Sequence, residues 1–239
     1  PKKTALASFE SHEAPLKKVI HNRLPDWKIN SRNKEQAFAI DMLLDPKIKI
    51  VTMVGRAGSG KTLCAIAAGL QQTIGLRIES NHYSRLIVSR PVQPMGKDIG
   101  FLPGSMEEKM LPWLMPIQDN LKFLMGDKAS LEMYLQQGKI EIEALTYIRG
   151  RSISNAFIVV DEAQNLTKHE IKTIITRIGE GTKIVLTGDI EQIDNAYVNE
   201  TSNGLAHAIE SFKEYHISGH VSFKKGERSD LATLASKVL

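Results

Sequence analysis

The chain has 239 residues, 42% hydrophobic and 24% charged, ordinary values for a globular protein able to bury a sizeable core. No apolar run approaches the roughly 18–20 residues needed to cross a bilayer, and the basic, polar start carries no signal-peptide pattern. The net charge is +4, and a lone cysteine, Cys64, excludes an internal disulfide and points to a reducing cytoplasm.

Residues 1–34 hold eight Lys/Arg against three Asp/Glu, a balance of +5 that suits contact with a polyanion or a plain solvated linker. Pro15, Pro25 and the lack of periodicity predict a basic arm or linker over 1–32, ahead of one domain at 33–239. The start at Pro1, without methionine, is expected of a piece of a longer protein. From Asn33 the spacing of Ala37, Ile40, Leu43 and Leu44 predicts a helix, closed by Pro46. IKIVTMV (48–54) reads as a strand covered on both faces, followed by a helix over 62–73 rich in small residues. RLIVS (85–89) is a second strand.

Residues 91–128 form a Pro/Gly-rich insertion, with helical turns expected at 105–111 and 113–125, then a short helix near 129–137. Strands are expected at 140–148, 157–161, 183–189 and 217–223, and helices at 168–178, 203–214 and 229–238. Strands alternating with helices predict an α/β fold, a mainly parallel sheet with helices on both faces.

GRAGSGKT (55–62) fits the phosphate-loop pattern and sits between a strand and a helix, where its mechanism requires it. Backbone N–H groups of Gly55, Arg56, Ala57, Gly58, Ser59 and Gly60 can turn toward phosphate oxygens, helped by the positive helix start. Lys61 can reach the β- and γ-phosphates, and the Thr62 hydroxyl can ligate Mg²⁺. AFIVVDEAQNLT (156–167) places two carboxylates at a strand end. Asp161 there suits Mg²⁺ bound to ATP, and Glu162 suits activation of an attacking water. At a third strand end, Gln192 can sense the γ-phosphate, although Gly188-Asp189 is also ordinary turn chemistry. Gln36 either reads the adenine edge or belongs to a helix cap. The seven histidines show no paired metal-ligand spacing.

These pieces together resemble the PhoH family, whose ATPase domain is similar to the first motor domain of superfamily 1 helicases. The matching residues are Asn33–Gln36, the loop 55–62, Arg90-Pro91, Phe101-Leu102-Pro103-Gly104, Arg149-Gly150-Arg151, Asp161–Asn165, Thr176-Arg177 and Gly188-Asp189 with Gln192. The region Lys225–Ser229 looks more like the branch that carries an N-terminal PIN nuclease domain. The resemblance implies a RecA-like P-loop NTPase, ATP and Mg²⁺ as cofactors, and a hexameric ring acting on RNA or single-stranded nucleic acid.

After Gln192 fewer than fifty residues remain, too few for a second motor domain to supply a charge-neutralising arginine. Either hydrolysis is slow, or a neighbouring copy in a head-to-tail ring supplies the arginine. Arg228 is the first candidate and Arg177 the second, with a surface salt bridge as the alternative for each. Arg90, Arg149 and Arg151 are the nucleic-acid candidates, and Trp113 and Phe101 either stack bases or pack on the domain. Two other readings remain open: a P-loop kinase, and a nucleotide-gated switch governing a fused or partner ribonuclease. The Asp-Glu-x-Gln strand end favours water as the phosphoryl acceptor.

Overall fold

The computed structural model describes residues 5–8, 15–76, 82–91, 106–145 and 152–224. The Phe101–Gly104 motif, Arg149, Arg151, Arg228 and the helix expected at 229–238 lie outside them. At the centre is a six-stranded sheet whose neighbouring strands all run parallel. In chain order its strands are β1 (Ile50–Gly55), β2 (Arg85–Arg90), β3 (Ile140–Ala144), β4 (Ala156–Val160), β5 (Lys183–Gly188) and β6 (Ser218–Phe223). Their spatial order is β6-β1-β5-β4-β2-β3.

Four of these strands are near-continuous apolar runs because both faces of the sheet are covered. Alternate residues feed two separate cores. Val51, Met53, Leu86, Val88, Phe157, Val159 and Val185 enter one, together with Leu43 and Leu70 from the helices α1 (Lys34–Leu44) and α2 (Lys61–Thr73). Ile50, Ile87, Ile158, Val160, Ile184 and Leu186 enter the other, with Ile171 and Leu205. That second face is covered by α5 (Lys168–Ile175) and α6 (Gly204–Phe212).

Between β2 and β3 lie α3 (Met106–Met125) and α4 (Lys128–Gln136). The sequence predicts a break near Pro112, yet α3 runs through both Pro112 and Pro116. Each interior proline removes one backbone hydrogen bond and costs about 3 kcal/mol in an isolated helix. Burial outweighs that penalty, since Met110, Ile117, Leu121 and Leu124 form one inward face at helical spacing.

Residues 23–30 depart from the arm expected over 1–32. Arg23–Leu24 pairs antiparallel with Ile29–Asn30 across a short 3-10 turn, and Leu24 is fully buried in the first core. Asp26 Oδ2 accepts hydrogen bonds from the Leu76 backbone at 3.0 Å and from Gln71 Nε2, fixing the ribbon to the end of α2.

Candidate active site

The site forms at the carboxyl edge of the sheet, where open parallel sheets bind ligands. Gly60 ends the phosphate loop with φ +86°, a left-handed value that glycine adopts without strain, and it caps α2. Lys61, the first residue of α2, is buried. Its Nζ donates to the carbonyls of Gly55 and Arg56, the latter at 3.0 Å, and reaches the Ser59 hydroxyl at 3.4 Å.

Gln36 braces this loop from α1. Its Nε2 donates to the Ser59 carbonyl at 3.1 Å, and its Oε1 accepts from the Arg32 backbone at 2.8 Å. Asn33, the N-cap of α1, accepts from the Gln36 backbone at 2.9 Å. Gln36 therefore joins loop to ribbon while lining the cavity beside them.

The phosphate-loop strand β1 and the carboxylate strand β4 are not neighbours, since β5 lies between them. The intervening strand contributes Thr187. Asp161 Oδ1 accepts from Thr62 Oγ1 at 2.7 Å and from Thr187 Oγ1 at 2.6 Å. Two hydroxyl donors offset the cost of burying this carboxylate, which has no opposite charge in contact among the described residues.

Glu162 has φ +54°, a left-handed conformation uncommon for a side-chain-bearing residue and one that turns it out of line with β4. Its carboxylate receives Gln164 Nε2 at 2.6 Å and lies 3.6 Å from the Arg90 guanidinium. Burial pushes the Glu162 pKa up, and the neighbouring Asp161 charge pushes it the same way; Gln164, Arg90 and Lys61 oppose them. Gln164 is fully buried and does more: the same Nε2 donates to the Gln192 carbonyl at 2.8 Å, and Oε1 accepts from the Asp189 backbone at 3.1 Å. Gly188 makes room for it, because a Cβ there would lie 2.4 Å from Gln164 Oε1.

Asp189 returns across the edge of the sheet, accepting from the Ala57 backbone at 3.0 Å. Arg56 pairs with Glu191 at 2.9 Å, an exposed contact that contributes little to stability. A cavity of about 250 Å³ is lined by Lys61, Thr62, Arg90, Asp161, Glu162 and Gln192, among others. A second, of about 390 Å³, adjoins it across Gly58, Gly60 and Leu63.

Most of the sequence-derived residues thus converge, with Arg90 inside the cavity beside Glu162. Arg177 does not join them. It is exposed and follows α5, and its carbonyl accepts from Ile153 near the start of β4, at the opposite edge from Asp161. Thr187 carries a site contact and was given no role from sequence, while Gln164 and Asp189 entered there only as motif and turn residues. Gln164 stands in the Asp-Glu-x-Gln motif and was open to notice. Thr187 carries no such signal, since threonine in a strand is ordinary β propensity.

A glycine loop closing on a helix start, a buried lysine, and a Thr–Asp pair across a parallel sheet define a P-loop nucleotide-binding domain. The chain belongs to the PhoH-like protein family, which matches residues 28–237. It is 53% identical over 227 residues to Protein PhoH2 of Bacillus subtilis, covering 94% of this chain and 50% of that protein. To Protein PhoH2 of Mycolicibacterium smegmatis it is 39% identical over 212 residues, covering 88% of this chain and 47% of the relative. The chain thus spans about half the length of these curated relatives. Among solved structures, unliganded Pif1 from a Bacteroides species aligns over 85% of this chain and 44% of its own, at 14% identity and a TM-score of 0.38, too loose a likeness to carry weight.

Proposed function

We propose that this domain hydrolyses ATP with Mg²⁺ and couples the cycle to RNA or another single-stranded nucleic acid, working as a ring of copies. The observation that carries the reading is the 2.7 Å hydrogen bond between Thr62 and Asp161. It brings two hard oxygen donors together beside a buried phosphate-loop lysine, and Mg²⁺ suits such a pair, with phosphate oxygens and water completing its shell. Thr62 and Asp161 would hold the ion, which supplies neutralisation of phosphate charge when bound.

The chain's own groups divide the remaining work. The loop 55–60 and the start of α2 cradle phosphate oxygens, and Lys61 exchanges its loop carbonyls for them. Glu162 takes the proton of the attacking water onto its carboxylate as the water oxygen bonds to the terminal phosphorus and ADP leaves. Gln164 fixes the direction of that carboxylate, and Gln192 faces the terminal phosphate. Arg177 lies far from its own site, the placement expected of a residue delivered to a neighbour by head-to-tail contact. Arg228 is the other candidate for that role. The basic first 34 residues, with Arg149 and Arg151, supply charge for a polyanionic strand. A second reading is a nucleotide-gated module governing a PIN-type ribonuclease, for which relatives about twice as long as this chain leave room.

The test is calorimetric titration with Mg-ATP alongside phosphate-release kinetics. Wild-type protein is expected to bind and hydrolyse ATP, and Glu162→Gln to bind it while turnover falls by roughly 100-fold or more. Absence of Mg-ATP binding by the wild type sinks the reading.

A further inference from the structure

Phe123 projects from α3 with 70% of its surface exposed and belongs to neither hydrophobic core. The helix beneath it is anchored, since Leu121 and Leu124 on either side are buried. What sets this exposed ring apart from others on the surface is that it forms a wall of a cavity beside the phosphate loop. Phe123 lines the second cavity together with Ile29, Ser31, Arg32, Gln36 and Leu63. One turn earlier on the same helix, Asn120 lines the phosphate cavity. The two cavities share Gly58, Gly60 and Leu63, so one ligand can pass from one to the other without leaving the wall. At about 390 Å³ the second falls within the range of small-molecule pockets.

We propose that this second cavity holds the nucleoside half of the triphosphate, with Phe123 as the platform on which the base stacks and the Ile29–Arg32 ribbon as the opposite rim. The inference rests on the nucleotide reading above and extends it, assigning recognition to the Pro-containing helix of the insertion. Its chemistry is that of a planar, apolar ligand face against an aromatic ring, a contact tolerant of base identity because every base has a π-face. The ribbon's polar groups then face the base edge, and Gln36 ties that ribbon to the phosphate loop at Ser59.

The experiment titrates wild type, Phe123→Ala and Phe123→Trp with Mg-ATP and, separately, with Mg-tripolyphosphate, which has phosphates and no nucleoside. Phe123→Ala is expected to weaken ATP about tenfold, Phe123→Trp to restore it, and neither to move tripolyphosphate affinity or the thermal midpoint of the free protein. Equal weakening of both ligands overturns the proposal. So does unchanged ATP affinity, and if RNA binding or self-association falls instead, the ring belongs to that surface. If the wild type binds neither ligand, the nucleotide reading itself fails, a result distinct from wild type and Phe123→Ala binding ATP alike.

Discussion

Two buried ionisable groups stand at opposite edges of adjacent strands of this sheet, and they are held by different chemistry. At the carboxyl edge Asp161 is satisfied by the hydroxyls of Thr62 and Thr187. At the amino edge Lys183, the first residue of β5, is fully buried and donates to the carbonyls of Met42, Leu43 and Asp45 at 3.2, 2.6 and 2.7 Å. Those carbonyls close α1, where the helix dipole favours a cation. A hydroxyl can rotate and give its oxygen to a metal, so the Asp161 arrangement can be remade when a ligand arrives. Backbone carbonyls at a helix end have no such freedom, and the Lys183 arrangement is fixed. One edge is built to exchange partners and the other to keep them.

Substitutions can break that contrast. The largest effect is expected at Asp161→Ala, which should lower ATP turnover by roughly 100- to 1000-fold and remove its Mg²⁺ dependence, with little change in thermal midpoint. A fall of many degrees in that midpoint would place Asp161 among structural residues instead. Next in size, Lys183→Ala strands three carbonyls and opens a cavity. It should cost about 3 kcal/mol, or roughly 6–12 °C in a domain of this size. The same side chain has a pH signature. Burial pushes Lys183 down to about 7 from 10.5, the neighbouring Lys49 adds to the shift, and Asp45 opposes it. Above the unfolded value both states are neutral and nothing is lost. Between 10.5 and about 7 the unfolded chain gains a proton that the folded chain lacks, so stability falls as pH falls. Chemical denaturation across that range should show the slope in wild type and its loss in Lys183→Met; parallel curves would refute it.

The smallest of these effects sharpens the comparison within the carboxyl edge. Gln164→Ala removes the amide donor from the Glu162 carboxylate while making no direct contact change at Asp161 or the phosphate loop, so turnover is expected to fall about tenfold with ATP affinity unchanged. The pH profile of turnover should move as well, because Gln164 donates to Glu162 and restrains its pKa from rising further. If affinity and turnover fall together, Gln164 acts by holding the β5 loop rather than by positioning the base.

Much of this site was legible because its signals are contiguous. Gly55 to Thr62 are eight consecutive residues, and Asp161-Glu162 follow an unbroken apolar strand. Partners that arrive from elsewhere in the chain were not legible. Thr187 meets Asp161 from 26 residues away, and Lys183 reaches α1 across 138 to 141 residues, and neither leaves a local pattern. The unbroken α3 was missed for a related reason. Proline chemistry argues locally for a break at Pro112, while the burial that overrides it depends on where β2 and β3 lie. Gly188 looked like turn chemistry, yet its empty side is where the Gln164 amide passes.

The sequence by itself determined the α/β class, the phosphate loop and the acidic strand end. Each of these follows from periodicity or from residues adjacent in the chain. Only the tertiary structure decided that β5 lies between the loop and the carboxylates, that Lys183 is the cap of α1, and that Phe123 overlooks the second cavity. Those outcomes depend on strand order and helix placement, which are set by many weak long-range contacts summed over two cores and by no short stretch of residues.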